Sequence, residues 1–173
     1  MPTPIRQQIP HDVFDYQALL TALAGYRHPR DRIKRLIRQG DIVRVKKGIY
    51  VLGEDQRRLP IRLEVLANLI YGPSCVSLEY ALQYHGLIPE QVTAVTSVTV
   101  SRSRTFDTPV GRFTYLTLPL KAFRAGVDRI EDAGGMAWLV ANPERALCDK
   151  VYSDRVPHTS RKAERTHLLE GLR

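Results

Sequence analysis

The chain has 173 residues, of which 26 are Lys or Arg and 18 are Asp or Glu, so its formal net charge at pH 7 is +8. This length suits one ordinary domain, or a small domain followed by a larger one. Cys75 and Cys148 have no metal-ligand spacing, and no run of about eighteen apolar residues occurs, so we expect no disulfide scaffold, zinc site, signal peptide or transmembrane helix. The expectation is a cytoplasmic protein without a cofactor.

The positive charge is concentrated in the first third of the chain. Residues 1–62 carry 13 Lys or Arg and 6 Asp or Glu, whereas residues 63–173 carry 13 and 12. An excess of +7 in one small region, against +1 in the rest, indicates a surface that meets a polyanion. Nucleic acid and a membrane surface are both polyanions, so charge alone does not distinguish them.

Two short helices are predicted at the start of this basic region. The first covers residues 16–23, with Asp15 as its N-cap. The second begins with Pro29, which suits a first helical position, and ends at Gln39, with Gly40 as the residue that stops it. Two short helices joined by a tight turn are the skeleton of a helix-turn-helix.

The second helix divides into an apolar side and a basic side. At about 100° per residue, Ile33, Leu36 and Ile37 group together and are predicted to pack. The basic residues of this helix that we predict to contact DNA are Arg30, Arg32, Lys34, Arg35 and Arg38. The alternative is a solvated surface helix, but such helices pair their charges, and here Asp31 is the one acidic residue among five basic ones.

A β-hairpin is predicted directly after this helix. Residues 42–45 and 49–52 are β-branched or aromatic runs, and Gly48 supplies the left-handed conformation of a tight turn. The hairpin cations predicted to contact phosphates or the adjacent minor groove are Arg44, Lys46 and Lys47. Residues 1–53 are thus predicted to be a winged helix-turn-helix domain for double-stranded DNA. A membrane-binding helix would show a continuous face of Trp, Phe and Leu, so we expect no membrane partner.

The rest of the chain is predicted to be a linker, a second domain and a polar end. Residues 54–60 are the linker, residues 61–152 a mixed α+β domain, and residues 153–173 a polar segment or late helix. The predicted elements of the second domain are a helix from Ile61, a helix capped by Ser77, strands at 95–100, 113–118 and 136–141, and a helix begun by Asn142 and Pro143. The expected fold class is α+β, with an N-terminal winged helix-turn-helix followed by this mixed domain.

The basic region resembles a known family. Residues 31–52, and above all the stretch RLIRQGDIVRVKKGIYVL, resemble the winged helix-turn-helix of the AbiEi antitoxin family, which belongs to type IV toxin-antitoxin and abortive-infection systems. The likeness continues through residues 77–82, 111–115 and 142–150, and spans roughly residues 12–152.

The resemblance implies a function and two partners. It implies a regulator that represses its own operon by binding repeats in the promoter, and that counteracts a toxin of the nucleotidyltransferase class without forming a tight complex with it. Since a single winged helix reads only a short half-site, a homodimer on the repeats is a further expectation. A stand-alone regulator with no toxin partner is the alternative, as is an interaction protein whose residues 61–152 neutralise the toxin.

A metal-dependent nuclease is the third alternative, since that chemistry needs two acidic ligands and a lysine in a spaced set. The residues of the second domain that offer such groups are Asp107, Glu131, Asp132, Glu144, Asp149 and Lys150. Their spacing does not place them at the end of one strand, and no nucleotide-binding loop or nucleophile motif occurs. The five histidines do not pair at a metal-ligand interval either. We therefore expect that the protein is not an enzyme and holds no metal.

A basic tetrapeptide, Ser-Arg-Ser-Arg at residues 101–104, lies between two predicted strands. Its first interpretation is a solvated turn, because most short charged loops have no ligand. Its second interpretation is an additional phosphate contact. The sequence leaves both open.

Overall fold

The computed structural model describes residues 5–132 and 134–155. Within these residues the chain is a mixed α+β protein, which confirms the predicted fold class at this level. A 3₁₀ turn at Glu54–Gln56 lies in the predicted linker. The helices and strands are α1 (Ile5–Gln8), β1 (Val13–Asp15), α2 (Tyr16–Ala22), α3 (Pro29–Gln39), β2 (Ile42–Lys46), β3 (Ile49–Leu52), α4 (Leu63–Ile70), β4 (Ser74–Val76), α5 (Leu78–Tyr84), β5 (Val95–Thr99), β6 (Arg104–Thr108), β7 (Gly111–Thr117), α6 (Leu120–Phe123), β8 (Val127–Glu131), β9 (Ala137–Ala141) and α7 (Pro143–Arg155).

The two predicted N-terminal helices, at residues 16–23 and 29–39, correspond to α2 and α3, and α2 ends one residue earlier than predicted. The Asp15 carboxylate accepts a hydrogen bond from the backbone N–H of Ala18 at 2.7 Å, and so caps α2 as predicted. Pro29 is the first residue of α3. Gly40 ends that helix in the left-handed region, with φ of +79°, a conformation that residues with a Cβ adopt at a cost.

The first region has its own apolar core beneath these helices, which we call the N-terminal core. Its buried members are Ile5, Ile9, Phe14, Leu19, Leu23, Ile33, Leu36, Ile42, Tyr50 and Leu52. They come from α1, α2 and the residues that directly follow them, from α3, and from one face of a three-stranded antiparallel sheet, whose strand order is β1-β3-β2. The sheet therefore lies under the helices and anchors them.

The opposite face of the same sheet is also covered. Val45 of β2 and Val51 of β3 belong to a larger core that continues into the rest of the chain, which we call the central core. In β3, Val51 joins the central core while its neighbours Tyr50 and Leu52 join the N-terminal core. Side chains alternate between the two faces of a strand, so a single strand serves both cores. The hairpin of β2 and β3 is consequently an internal layer.

A six-stranded mixed sheet forms the second region, with strand order β6-β7-β5-β4-β9-β8. Strands β5 and β7 are parallel, as are β4 and β9, and the remaining neighbours are antiparallel. Helix α4 packs on the central strands β4 and β9, and α5 packs on β5 and on α7. Strands β6 and β8 are the two edges of this sheet, so residues on them lie far apart.

A buried ionic network joins α7 to the start of α5. The Asp149 carboxylate accepts hydrogen bonds from Arg145 Nε and from the Ser77 hydroxyl, each at 2.7 Å. Ser77 is the N-cap residue of α5, as predicted, but its hydroxyl donates to Asp149 and makes no cap hydrogen bond. The predicted cap of α7 is confirmed, since the Asn142 side chain accepts from the backbone N–H of Arg145 at 2.9 Å.

Helix α7 buries polar side chains and exposes apolar ones. Arg145, Asp149 and Ser153 are buried, whereas Leu147 and Val151 are 55% and 43% exposed. The helix continues to residue 155, into the segment predicted as polar or late-helical, and residues 156–173 of that segment lie outside the described residues. No helix in the described ranges is both long enough and apolar enough to cross a bilayer.

Candidate nucleic-acid interface

Helix α3 buries a narrower apolar side than the sequence predicts. Ile33 and Leu36 are buried in the N-terminal core, but Ile37 is 38% exposed. The grouping of Ile37 with the packing residues is therefore wrong, because the sheet beneath α3 covers only part of the apolar arc. More than half of the helix surface faces solvent.

The exposed side of α3 carries a row of cations. Arg30, Lys34 and Arg38 are all exposed and recur at four-residue steps, which places them in line along one face of the helix. Arg35 is exposed beside them. The row spans about 12 Å, since an α-helix rises about 1.5 Å per residue.

Acidic groups neutralise little of this charge. The Asp31 carboxylate lies 3.5 Å from the Lys34 ammonium, with the two side chains 68% and 76% exposed. An ion pair this exposed contributes little, because water and salt screen it and both side chains lose entropy in forming it. Lys34 is thus available to an external anion.

Arg32 differs from the other basic residues of α3 because it is half-buried. Its guanidinium carbon lies 5.6 Å from the centre of the Tyr26 ring, within the range of a cation–π contact. Tyr26 packs against the N-terminal core, so this contact ties the start of α3 to the turn before it. Arg32 is therefore placed to orient the helix rather than to reach a ligand freely.

The hairpin turn has the predicted backbone. Gly48 has φ of +90°, and Lys47 beside it is exposed at the tip. Arg44 is exposed on β2 and lies opposite Tyr50, on the face that carries the helices. Arg44 and Lys47 therefore extend the cationic surface beyond α3.

Lys46 does not join that surface. A β-bulge between Arg44 and Lys46 breaks the alternation of β2, so the two side chains no longer share a face. Lys46 Nζ donates a hydrogen bond to the Ile70 carbonyl at 2.7 Å and lies 4.4 Å from the centre of the Phe106 ring. This geometry does not favour its predicted role as a phosphate contact, because the half-buried ammonium already has a hydrogen-bond acceptor and an aromatic ring within the protein.

The surroundings of this ammonium also disfavour its charged form. Desolvation is the main cause that lowers the pKa of Lys46 below its ordinary value, and the positive charge of the nearby Arg104 adds to the effect. Neither the burial of Lys46 nor its proximity to Arg104 is predictable from the sequence, since a bulge and a contact with β6 depend on the tertiary fold.

Sequence reasoning also passed over Arg27, which is exposed in the connection between α2 and α3. The signal for it was present, because it lies just before the predicted start of the second helix. Residues at the entry to a DNA-binding helix are well placed for backbone phosphates.

The residues considered for a nuclease lie on different elements, namely β6, the end of β8, and α7. Within residues 5–132 and 134–155, no three His, Cys, Asp or Glu side chains meet in an arrangement that would hold a metal ion. The ion pairs that occupy four of the candidate groups are Asp107 with Arg112, Glu131 with Arg129, Asp149 with Arg145, and Lys150 with Glu79 and Asp154. Of these pairs, Asp149 with Arg145 is the buried one.

No protein-family model matches the chain, and no curated protein matches it significantly. Function is therefore inferred from the geometry of α3 and the hairpin, together with the sequence resemblance.

Proposed function

We propose that the protein is a DNA-binding transcriptional regulator whose residues 1–53 act as a winged helix-turn-helix. The observation that carries the proposal is the row of exposed cations on α3, Arg30, Lys34 and Arg38, with Arg35 beside it. Helix α3 is the second of two consecutive helices and is followed by a hairpin, the order that places a recognition helix and a wing on one side of a small domain.

The dimensions support a duplex as the ligand. An α-helix with its side chains is about 10–12 Å across, and the major groove of B-form DNA is about 12 Å wide. The helix that carries the row is anchored from below by Ile33 and Leu36. A rigid helix with outward cations loses little entropy when it binds, so its charges act together on the phosphates and base edges.

The test replaces two cations whose side chains are exposed and do not pack in the N-terminal core. The variant Lys34→Ala with Arg35→Ala should lose at least about thirtyfold in affinity for duplex DNA taken from immediately upstream of the gene, because each contact of this kind contributes about 1–3 kcal/mol. Fluorescence anisotropy of a labelled duplex measures the loss. Arg124→Ala with Arg129→Ala is the matched control, since it removes the same charge from exposed positions in the second region.

Two results would refute the assignment. One is a Lys34 and Arg35 variant that binds as tightly as the parent. The other is an equal loss in the control variant, which would reduce the effect to net charge alone. Thermal unfolding of both variants should match the parent, because all four side chains are exposed.

A finer proposal concerns the second region. We propose that the protein is an antitoxin similar to the AbiEi family, which represses its own operon and counteracts a nucleotidyltransferase-class toxin. The outward Leu147 and Val151 of α7 support an interaction role, because a helix that buries its polar side and exposes its apolar side offers a contact surface. DNA binding would then regulate expression of the pair.

Growth rescue tests this proposal in the full chain. Truncation at residue 61 is unsuitable because it removes Val45 and Val51 from the central core. Co-expression of the parent with a neighbouring toxin gene should restore growth, and Leu147→Glu with Val151→Glu should abolish that rescue while DNA binding is kept. Leu120→Glu, at a similarly exposed leucine on α6, is the control and should still rescue. Failure of the parent to rescue would leave a regulator without a toxin.

A further inference from the structure

A second pair of cations lies beside the hairpin, where β6 forms the edge of the six-stranded sheet. Phe106 of β6 packs under the Lys46 ammonium, so the tip of the hairpin and the start of β6 are neighbours. Arg104 is the first residue of β6, and Arg102 precedes it in the turn from β5. Both arginine side chains are exposed.

Tyr71 fixes this turn in place. Its hydroxyl donates a hydrogen bond to the backbone carbonyl of Arg102 at 3.1 Å. The guanidinium carbon of Arg104 lies 5.6 Å from the centre of the same ring, in cation–π range. The Tyr71 ring also packs edge-on against Tyr115, a buried residue of the central core. The basic turn is therefore attached to rigid structure, unlike a loose solvated loop.

These two arginines lack acidic partners, whereas the next cation along the sheet has one. Across the described ranges, neither Arg102 nor Arg104 forms an ion pair, while Arg112 on the adjacent strand pairs with Asp107 at 2.6 Å. Lys46 adds a third positive charge beside Arg104. Like charges held together without compensation cost free energy, and an external polyanion removes that cost.

We propose that Arg102 and Arg104 form a second phosphate-binding site, on the other side of the hairpin from α3, that contacts the backbone of the same DNA duplex. The inference rests on the proposed function. The ligand is the phosphate backbone of double-stranded DNA outside the half-site that α3 reads. Since phosphates carry no sequence information, this site adds affinity without adding specificity.

The test uses random-sequence duplexes of about one and about three helical turns, because the proposed contact lies outside the half-site. The variant Arg102→Ala with Arg104→Ala should lower the slope of log affinity against log salt concentration by about two units on the long duplex, at about 0.9 per phosphate contact. Its affinity at about 0.1 M salt should fall on the order of tenfold. On the short duplex both changes should be much smaller.

Matched variants separate this inference from the proposed function. Arg124→Ala with Arg129→Ala removes the same charge, and Arg129 lies on β8 at the opposite edge of the sheet. The inference is overturned, and the regulator stands, if Lys34→Ala with Arg35→Ala weakens binding but the Arg102 and Arg104 variant behaves like the parent or like this control. Equal losses on short and long duplexes overturn it as well. A parent that binds neither duplex overturns both proposals.

Discussion

The two regions of the molecule have the same number of basic residues but pair them with carboxylates to different extents. Residues 1–62 and residues 63–173 carry 13 Lys or Arg each, yet their net charges are +7 and +1. In the second region, Arg112, Arg129, Arg145 and Lys150 all pair with carboxylates. On α3, the closest pairing within the described residues is the exposed contact of Lys34 with Asp31. The difference lies in the pairing of charge, because unpaired cations remain available to an external polyanion.

The hairpin of β2 and β3 lies between the two regions. Its strands bury one face in the N-terminal core and the other in the central core. A helix-and-wing domain attached by a flexible linker would leave the second face of its sheet in water. Here the sheet is shared, so we expect the position of α3 to depend on the integrity of the second region.

The largest expected effect comes from removing a buried charge in the second region. Arg145 and Asp149 are 8% and 6% exposed at their side chains, and their atoms Nε and Oδ1 are 2.7 Å apart. Asp149→Ala leaves the Arg145 guanidinium buried without its counter-charge and the Ser77 hydroxyl without its acceptor. We expect a loss of about 3 to 5 kcal/mol in the free energy of unfolding, measured by urea denaturation.

The matched control for that change is Asp154→Ala on the same helix. Asp154 is exposed and its partner Lys150 also pairs with Glu79 at 3.0 Å. We expect this substitution to cost less than about 1 kcal/mol. If both substitutions lower the free energy of unfolding equally, then burial does not make the pair of Arg145 and Asp149 more stabilising than an exposed pair. Paired charges in the second region would then not be shown to have a structural role.

The sequence predicts local features well and long-range ones poorly, for physical reasons. Asp15, Pro29, Gly40 and Asn142 mark helix ends because caps and stops depend only on neighbouring residues. The short strands β1, β4, β6 and β8 were not predicted, since two are edge strands of polar composition and the others have only three residues. Pairing across the sheet, rather than their own pattern, makes them strands.

In the candidate interface, too, local features are predictable from the sequence and long-range ones are not. The outward direction of Arg30, Lys34, Arg35 and Arg38 follows from the helical period, and the structure places all four in solvent. Lys46 was grouped with Lys47 because both belong to the same turn in sequence. Only the bulge in β2 and the neighbouring Ile70 carbonyl reveal that the two lysines face different surroundings.

The second prediction asks whether the two cores unfold together. Leu36→Ala removes a fully buried side chain from the N-terminal core and should cost about 3 kcal/mol, as such cavities do. Cys75, in the central core, reports on the other region, because burial raises the pKa of its thiol to about 12 and hides it from reagents. Labelling with an aromatic disulfide reagent measures how often that core opens.

If the shared hairpin couples the cores, the Leu36→Ala substitution should accelerate Cys75 labelling by about a hundredfold, the factor expected when about 3 kcal/mol is lost from a common opening reaction. The exposed Cys148 is the internal control and should label at the same rate in the parent and the variant. An unchanged Cys75 rate would show that the N-terminal core opens alone, and the hairpin would then be a boundary rather than a link.

The third prediction concerns Lys46 at the boundary. Lys46→Met keeps an unbranched side chain but removes both the cation–π contact with Phe106 and the hydrogen bond to the Ile70 carbonyl. We expect a loss of about 1 kcal/mol in stability, since bonds to charged groups contribute about that much when partly exposed. The salt slope of DNA binding should stay within error of the parent. A salt slope that falls by about 0.9 would show that Lys46 does contact a phosphate.

The smallest stability change and the clearest binding change should come from the next residue. Lys47 is exposed at the hairpin tip, so Lys47→Ala should alter the free energy of unfolding by less than about 0.5 kcal/mol. Binding should weaken on every duplex alike, and the salt slope should fall by about 0.9, because one phosphate contact is lost. Anisotropy titrations at several salt concentrations measure both, with Lys121→Ala, an exposed lysine on α6, as the control. If the salt slope falls for the Lys47 variant and not for the Lys46 variant, the β2 bulge separates a lysine that contacts DNA from one that contacts the protein. A Lys47 variant with the slope of the parent would show that the hairpin tip does not contact DNA.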